Sequence, residues 1–336
     1  MGDGAGKAIS GLAILGSREG KHKHSILLLD IPIKHNHIER CRNNGIEILE
    51  GSKINQAMSV ADVIILSWWG GRTMEAFLAD FPEIPCSVLL WSHKNGYYDP
   101  QFPKGFVEKF DGLLASSPFT LENTDWCKNA TLVYGFGDFE PEKVPVKMDY
   151  SIKDGAFTIG YVGMPSYKRL PQDCIDYFTE VIHLIPNVRF VMAGEVSDEF
   201  RCDIEKSGFV QYFNLLGWVG NIPSLLQKFD VFGYLMRPDT SATTENSVLE
   251  AMAAAVPCVV SRQPVGKYLL EDKISGFLVD TPKEYGELLH ELYADVSLRK
   301  CIGEAGRKYV INNYCAADNL KRFNAACERV VGRHIQ

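Results

Sequence analysis

The chain has 336 residues, 46% of them hydrophobic and 23% charged. That balance excludes a disordered or collagen-like polymer, and the length exceeds one core of ordinary size, so two domains are expected. A net charge of −7 argues against nucleic acid as the main partner.

The nine cysteines form no CxxC pair, which suits buried thiols better than a disulfide scaffold or a zinc site. No run is apolar for long enough to span a membrane, and the opening MGDGAGKAIS lacks the apolar core of a signal peptide. A soluble, cytoplasmic protein is expected. Peripheral membrane contact stays open, although no basic amphipathic face is visible.

In chain order, short apolar strands alternate with helical stretches. Strands are expected at 25–29, 63–67, 87–91, 112–115 and 131–134. The alternation pauses over a charged, Pro-containing stretch at 140–153. It resumes with strands at 157–162, 189–193, 210–215, 231–234, 258–261 and 276–279. Helices are expected at 174–184, 222–228 and 283–293, and a last one at 319–331. Alternating βα units imply parallel sheets covered on both faces. Two such series imply an α/β protein of two Rossmann-like domains facing a central cleft, at 1–147 and 148–318, with a C-terminal helix at 319–336. Ligands of such sheets bind at the carboxyl ends of the strands.

Residues 243–261, TTENSVLEAMAAAVPCVVS, are the most informative stretch. They read as a helix opening with Glu245, Asn246 and Ser247, an Ala-rich body, a break at Pro257 and a buried strand. A helix N-terminus has unpaired N–H groups and a partial positive charge, so it can hold a phosphate. Glu250 lies in the first turns, where a carboxylate reaches the hydroxyls of an attached ribose or sugar. Ser247 and Glu250 also fit a capping box, and spacing alone leaves both readings open.

At VLEAMAAAVPCVVS the chain resembles the donor-binding helix of the retaining glycosyltransferases of family 4, which have the GT-B fold. The resemblance implies transfer of a sugar from a nucleotide diphosphate sugar, UDP- or GDP-linked, to an acceptor hydroxyl of a glycan or other molecule. It implies no separate cofactor and no metal, because cations and the helix dipole neutralise the leaving diphosphate.

Further motifs carry the same resemblance. Gly163 to Arg169 follows a strand and is similar to the family's Arg- and Lys-bearing phosphate loop; Met164 stands where its Arg is expected, and Lys168 and Arg169 supply the cations. Gly194 ends the next strand. Trp218 and Val219 match the loop that sandwiches the base. The helix start, Glu245, Asn246, Ser247 and Val248, would meet the diphosphate, and Glu250 the ribose. Family members carry a glutamate where this chain has Ala242, so Glu245 is taken as its catalytic substitute.

In the first half His93 ends the strand SVLLW and is taken as catalytic and acceptor-side. Trp69, at the preceding strand end, could stack on a sugar. Ser116 to Thr120 reads as a helix cap first. The opening GDGAGKAISGLAIL resembles the family's Gly-rich loop and first helix, with Gly4 and Gly6 on the acceptor side and the first strand lacking. It is not a Walker A loop, because Ala8 follows Lys7. Two other readings share the fold: a noncatalytic nucleotide-sugar binding or scaffold protein, and a nucleotide-sugar 2-epimerase.

Overall fold

The computed structural model describes residues 3–30, 35–126 and 129–331; Gly2 and Cys127 lie outside them. The chain forms two compact units. Unit 1 is Met1–Phe139 with Ser241–Thr244 and Cys315–Gln336; unit 2 is Glu140–Thr240 with Glu245–Tyr314.

Unit 1 opens with α1 (Asp3–Glu19), β1 (Ser25–Leu28), α2 (Asn36–Asn43), β2 (Glu47–Glu50) and α3 (Ile54–Val60). Then follow β3 (Val63–Trp68), α4 (Arg72–Ala79), β4 (Ser87–Ser92), β5 (Gly112–Ala115) and β6 (Ala130–Leu132). Strands β3-β4-β5-β6 form a parallel sheet in that order, and β1 pairs with β2, also parallel. The expected Gly-rich loop is not there: the chain is helical from Asp3, so Gly4 and Gly6 belong to a helix. Ala8 and Leu12, one turn apart, bury that helix's apolar face, which is why it forms.

Unit 2 runs β7 (Phe157–Val162), α5 (Cys174–Leu184), β8 (Val188–Ala193), α6 (Asp198–Ser207), β9 (Phe213–Gly217) and α7 (Ile222–Leu226). It continues with β10 (Val231–Tyr234), α8 (Asn246–Ala253), β11 (Cys258–Ser261), β12 (Phe277–Val279), α9 (Pro282–Ala294) and α10 (Val296–Asn313). Its parallel six-stranded sheet has the order β12-β11-β10-β7-β8-β9, the doubly wound pattern, so the strand order reverses between β7 and β10. One strand is displaced from expectation. Residues 210–212 form a 3-10 turn and β9 starts at Phe213, because α6 ends in a left-handed Gly208 and the chain must turn before it pairs.

The expected boundary at 147/148 lies later than the observed division after Phe139. The intervening residues are tied to unit 2: Lys147 N donates to Ala254 O at 2.8 Å, Tyr150 Oη to Ala255 O at 2.7 Å, and Arg307 Nη1 to Val144 O at 3.0 Å. The last helix, α11 (Ala316–Val331), belongs to unit 1. Its Leu320, Phe323, Ala326 and Val330 pack with Ala8 and Leu12 of α1 and with Leu89, Trp91 and Leu114 of the sheet. No helix among the described residues is long and apolar enough to cross a membrane.

Candidate functional site

The reversal of strand order in unit 2 brings together residues distant in sequence. Three backbones meet at the ends of β7, β8 and β9: Gly163 N donates to Ala193 O at 2.9 Å, and Gly194 N to Gly217 O at 2.7 Å. Gly194 has φ +131°, and a Cβ there would overlap Gly163 O. A Cβ on Gly163 would in turn lie 2.9 Å from Tyr161 Oη. Glycines at these strand ends therefore let backbone approach backbone.

Tyr161 on β7 stacks on Tyr234 of the adjacent β10, with ring centroids 5.2 Å apart and planes at 11°. Tyr234 Oη donates to Glu245 Oε2 at 2.5 Å, and Arg169 Nη1 stands 3.5 Å from the same oxygen. Burial, then the Glu245 carboxylate, hold the Tyr234 phenol far above its usual pKa, so it remains a donor. The Glu245 charge raises the Arg169 pKa further, so the guanidinium stays charged. Glu245 is buried at 7% exposure, whereas the Arg169 side chain is 47% exposed. Arg169 is also braced by its backbone, whose carbonyl accepts from Arg237 N at 2.9 Å.

Helix α8 starts at Asn246, with Glu245 as its N-cap residue and no side-chain cap bond. Ser247 is thus the second helical residue, and the capping box with Glu250 does not form. Glu250 and Ser247 are half-buried, and Val248 is fully buried. Lys168 and Met164 are exposed. Trp218 is 82% exposed just past Gly217, which makes it a surface indole rather than a core one, and Val219 is half-buried.

In unit 1 the ends of β3, β4 and β5 carry Trp69, His93 and Ser116. His93 N donates to Trp68 O at 2.8 Å, and its ring lies 4.7 Å from that of Trp91 and 6.2 Å from that of Trp69. The segment Ser241–Thr244 lies in this unit and lines the same strand ends. Thr243 Oγ1 donates to His93 O at 3.4 Å, Thr244 Oγ1 to Ser116 O at 2.7 Å, and Asn95 Nδ2 to Ala242 O at 3.1 Å. Ala242 is therefore held by unit 1 through its backbone. Ser117 caps a 3-10 turn by accepting from Phe119 N at 3.2 Å, as the sequence suggests.

His93 Nε2 is enclosed and has no hydrogen-bond partner among the described residues. Burial, with Lys94 a lesser cause, pushes its pKa down from 6.5 to about 3. The native ring is neutral, while the unfolded chain takes up a proton below pH 6.5. Stability is thus complete above 6.5 and declines as pH falls toward 3. Between pH 7 and 5 the loss is at most ~2 kcal/mol. His24 is shifted the same way by burial, so urea titrations of wild type and His93→Gln at both pH values isolate the effect. An unchanged pH slope in the variant would show that His93 is protonated in the native state.

Sequence reasoning singled out Gly163, Arg169, Gly194 and Glu245, which lie at or beyond the strand ends described above. It missed Tyr161 and Tyr234. The apolar strands FTIGYV and VFGY read as core, and the only signal in them was a tyrosine at the carboxyl end of each of two strands.

Residues 156–295 match the family Glycosyl transferases group 1. Apart from Ser241–Thr244, the match lies within unit 2. Over 138 residues the chain is 28% identical to the UDP-Gal:alpha-D-GlcNAc-diphosphoundecaprenol alpha-1,3-galactosyltransferase of Escherichia coli, covering 38% of this chain and 34% of that protein. Over 143 residues it is 27% identical to the alpha-monoglucosyldiacylglycerol synthase of Acholeplasma laidlawii, covering 41% and 35%. The matched part thus spans about a third of each of these relatives. The structure of Alr3699/HepE of Anabaena in complex with UDP-glucose superposes with a TM-score of 0.77 at 12% identity, covering 98% of this chain and 97% of that one. The fold is GT-B.

Proposed function

We propose that this chain is a glycosyltransferase of family 4 that moves a hexosyl group from a UDP-sugar to an acceptor hydroxyl with retention of configuration. One observation carries the reading. The segment that matches the group 1 family also gathers Gly163, Arg169, Gly194 and Glu245 at the strand-order reversal, where doubly wound sheets bind their ligands. The Escherichia coli relative is named for UDP-Gal, the Acholeplasma laidlawii relative for the synthesis of alpha-monoglucosyldiacylglycerol, and the Anabaena structure holds UDP-glucose. These support the donor class proposed here.

In this reading unit 2 takes the donor. Arg169 and the start of α8 meet the diphosphate, Lys168 adds an exposed cation, Glu250 meets the ribose, and Trp218 and Val219 the base. Unit 1 takes the acceptor beside His93 and Trp69, where a neutral imidazole can exchange hydrogen bonds with a hydroxyl. Neutralisation of the leaving diphosphate by Arg169 and the helix dipole makes the reaction metal-independent.

Thermal-shift titration with UDP, GDP and ADP, each with and without EDTA, tests the reading. UDP is expected to raise the melting temperature in both conditions, and product analysis with UDP-hexoses to give a new glycoside. An isomeric free donor sugar nucleotide, or binding with no product from any acceptor, would replace the transferase with an epimerase or a binding protein.

A further inference from the structure

Glu245 is the carboxylate that the sequence offers as a catalytic substitute, but its geometry suits another task. Its Oε2 already accepts from the Tyr234 hydroxyl at 2.5 Å and faces Arg169 Nη1 at 3.5 Å. Only 9% of its side chain is exposed. Tyr234 cannot turn away: it is 3% exposed and lies between Tyr161 at 5.2 Å and Phe232 at 5.8 Å, both stacked at 11°. The carboxylate is thereby fixed from beneath by a donor that cannot move.

Arg169 contrasts with this rigid base. It is a long side chain on the loop after β7, half-exposed, and such a chain samples many rotamers unless something holds one nitrogen. A guanidinium has five donors, so contacts with Glu245 and the Tyr234 hydroxyl leave others for an anion. Met164, in the same loop, brings no charge, which leaves Lys168 and Arg169 as the cations of this motif, and Arg169 is the one that faces Glu245.

We propose that Glu245 is a positioning residue: through an ion pair backed by Tyr234 it fixes the Arg169 guanidinium for the donor diphosphate, and it does not touch the sugar. The proposal rests on the nucleotide-sugar reading above and deepens it. It predicts a specific asymmetry. Loss of the pair harms recognition of the diphosphate and leaves recognition of the nucleoside intact, although the helix start and the fold are shared by both.

Calorimetric titration of wild type, Glu245→Gln and Tyr234→Phe with UDP and with uridine tests it. Glu245→Gln keeps the size and an acceptor for Tyr234 but removes the charge that holds Arg169. UDP affinity is expected to fall about 10-fold or more, the effect of losing one charge-assisted contact, with uridine affinity changed less than about twofold. Tyr234→Phe keeps the ion pair but frees the carboxylate, and a smaller loss confined to UDP is expected. Should Glu245→Gln not fold, Tyr234→Phe decides alone. Unchanged or tighter UDP binding in the variants would mean that Glu245 only offsets the arginine charge, and equal losses for UDP and uridine would mean a purely structural role; either overturns the proposal while the donor reading stands. Failure of wild type to bind UDP would overturn both.

Discussion

Arg169→Ala is expected to lower kcat/KM for transfer from a UDP-hexose by roughly 10²–10³-fold, the usual cost of removing one preorganised group that stabilises developing charge. The diphosphate gains charge as the glycosidic bond breaks, so a cation held beside it favours the transition state over the ground state. Much of the loss should therefore appear in kcat rather than KM. Lys168→Ala is the informative comparison. Lys168 is the adjacent cation but is exposed, and a freely solvated cation contributes little beyond screened attraction. Its removal is expected to cost less than tenfold.

Arg169→Ala also leaves the buried Glu245 carboxylate facing Tyr234 without the Arg169 cation. Some stability is lost with it, because an uncompensated buried charge is costly. Steady-state kinetics at a temperature well below the variant's melting point separate the two effects. Equal losses for Arg169→Ala and Lys168→Ala would show that net charge alone, and not the anchored fork, serves the donor.

What the sequence disclosed and what it hid follow from the range of the interactions. Strands β5, β7, β10 and β11 and helix α5 occur at the residues expected from sequence. The strands are short, mostly buried runs and α5 buries one apolar face at helical spacing, so local pattern suffices. Strand β2 escaped notice because EILE has two apolar residues between glutamates, with burial only partial along its length. The start of β9 was displaced by the left-handed exit from α6, which no periodicity reveals. Glu245, Arg169 and Gly194 were visible as motif members. That Glu245 binds Arg169 was not, because their meeting depends on β7 lying beside β10 rather than beside the next strand in sequence. The placement of Ser241–Thr244 in unit 1, inside a stretch that otherwise builds unit 2, was equally invisible: its bonds to His93, Asn95 and Ser116 are made by backbone groups and hydroxyls that many sequences could supply.

Gly194→Ala is expected to destabilise unit 2 by ~3 kcal/mol or more, through two separable causes. The residue has φ +131°, a conformation open to glycine and strained for alanine, and the new methyl would overlap Gly163 O. That neighbour is main chain, itself fixed by the bond from Gly163 N to Ala193 O, so no side chain can swing aside. The ends of β7 and β8 must separate, and the bond from Gly194 N to Gly217 O strains with them. Gly208→Ala isolates the first cause. Its φ is +77° and nothing lies within 4 Å of an added Cβ, so only backbone strain of about 1 kcal/mol applies. Calorimetry should place Gly194→Ala roughly 6–12 °C below wild type and Gly208→Ala only a few degrees below. UDP affinity should fall in the first variant alone, because the strand ends it separates carry the loop that bears Arg169 and the turn that bears Trp218. Equal melting temperatures for the two variants would mean that β7 and β8 do not approach at their ends, and the loops they carry would then need another arrangement to meet one ligand.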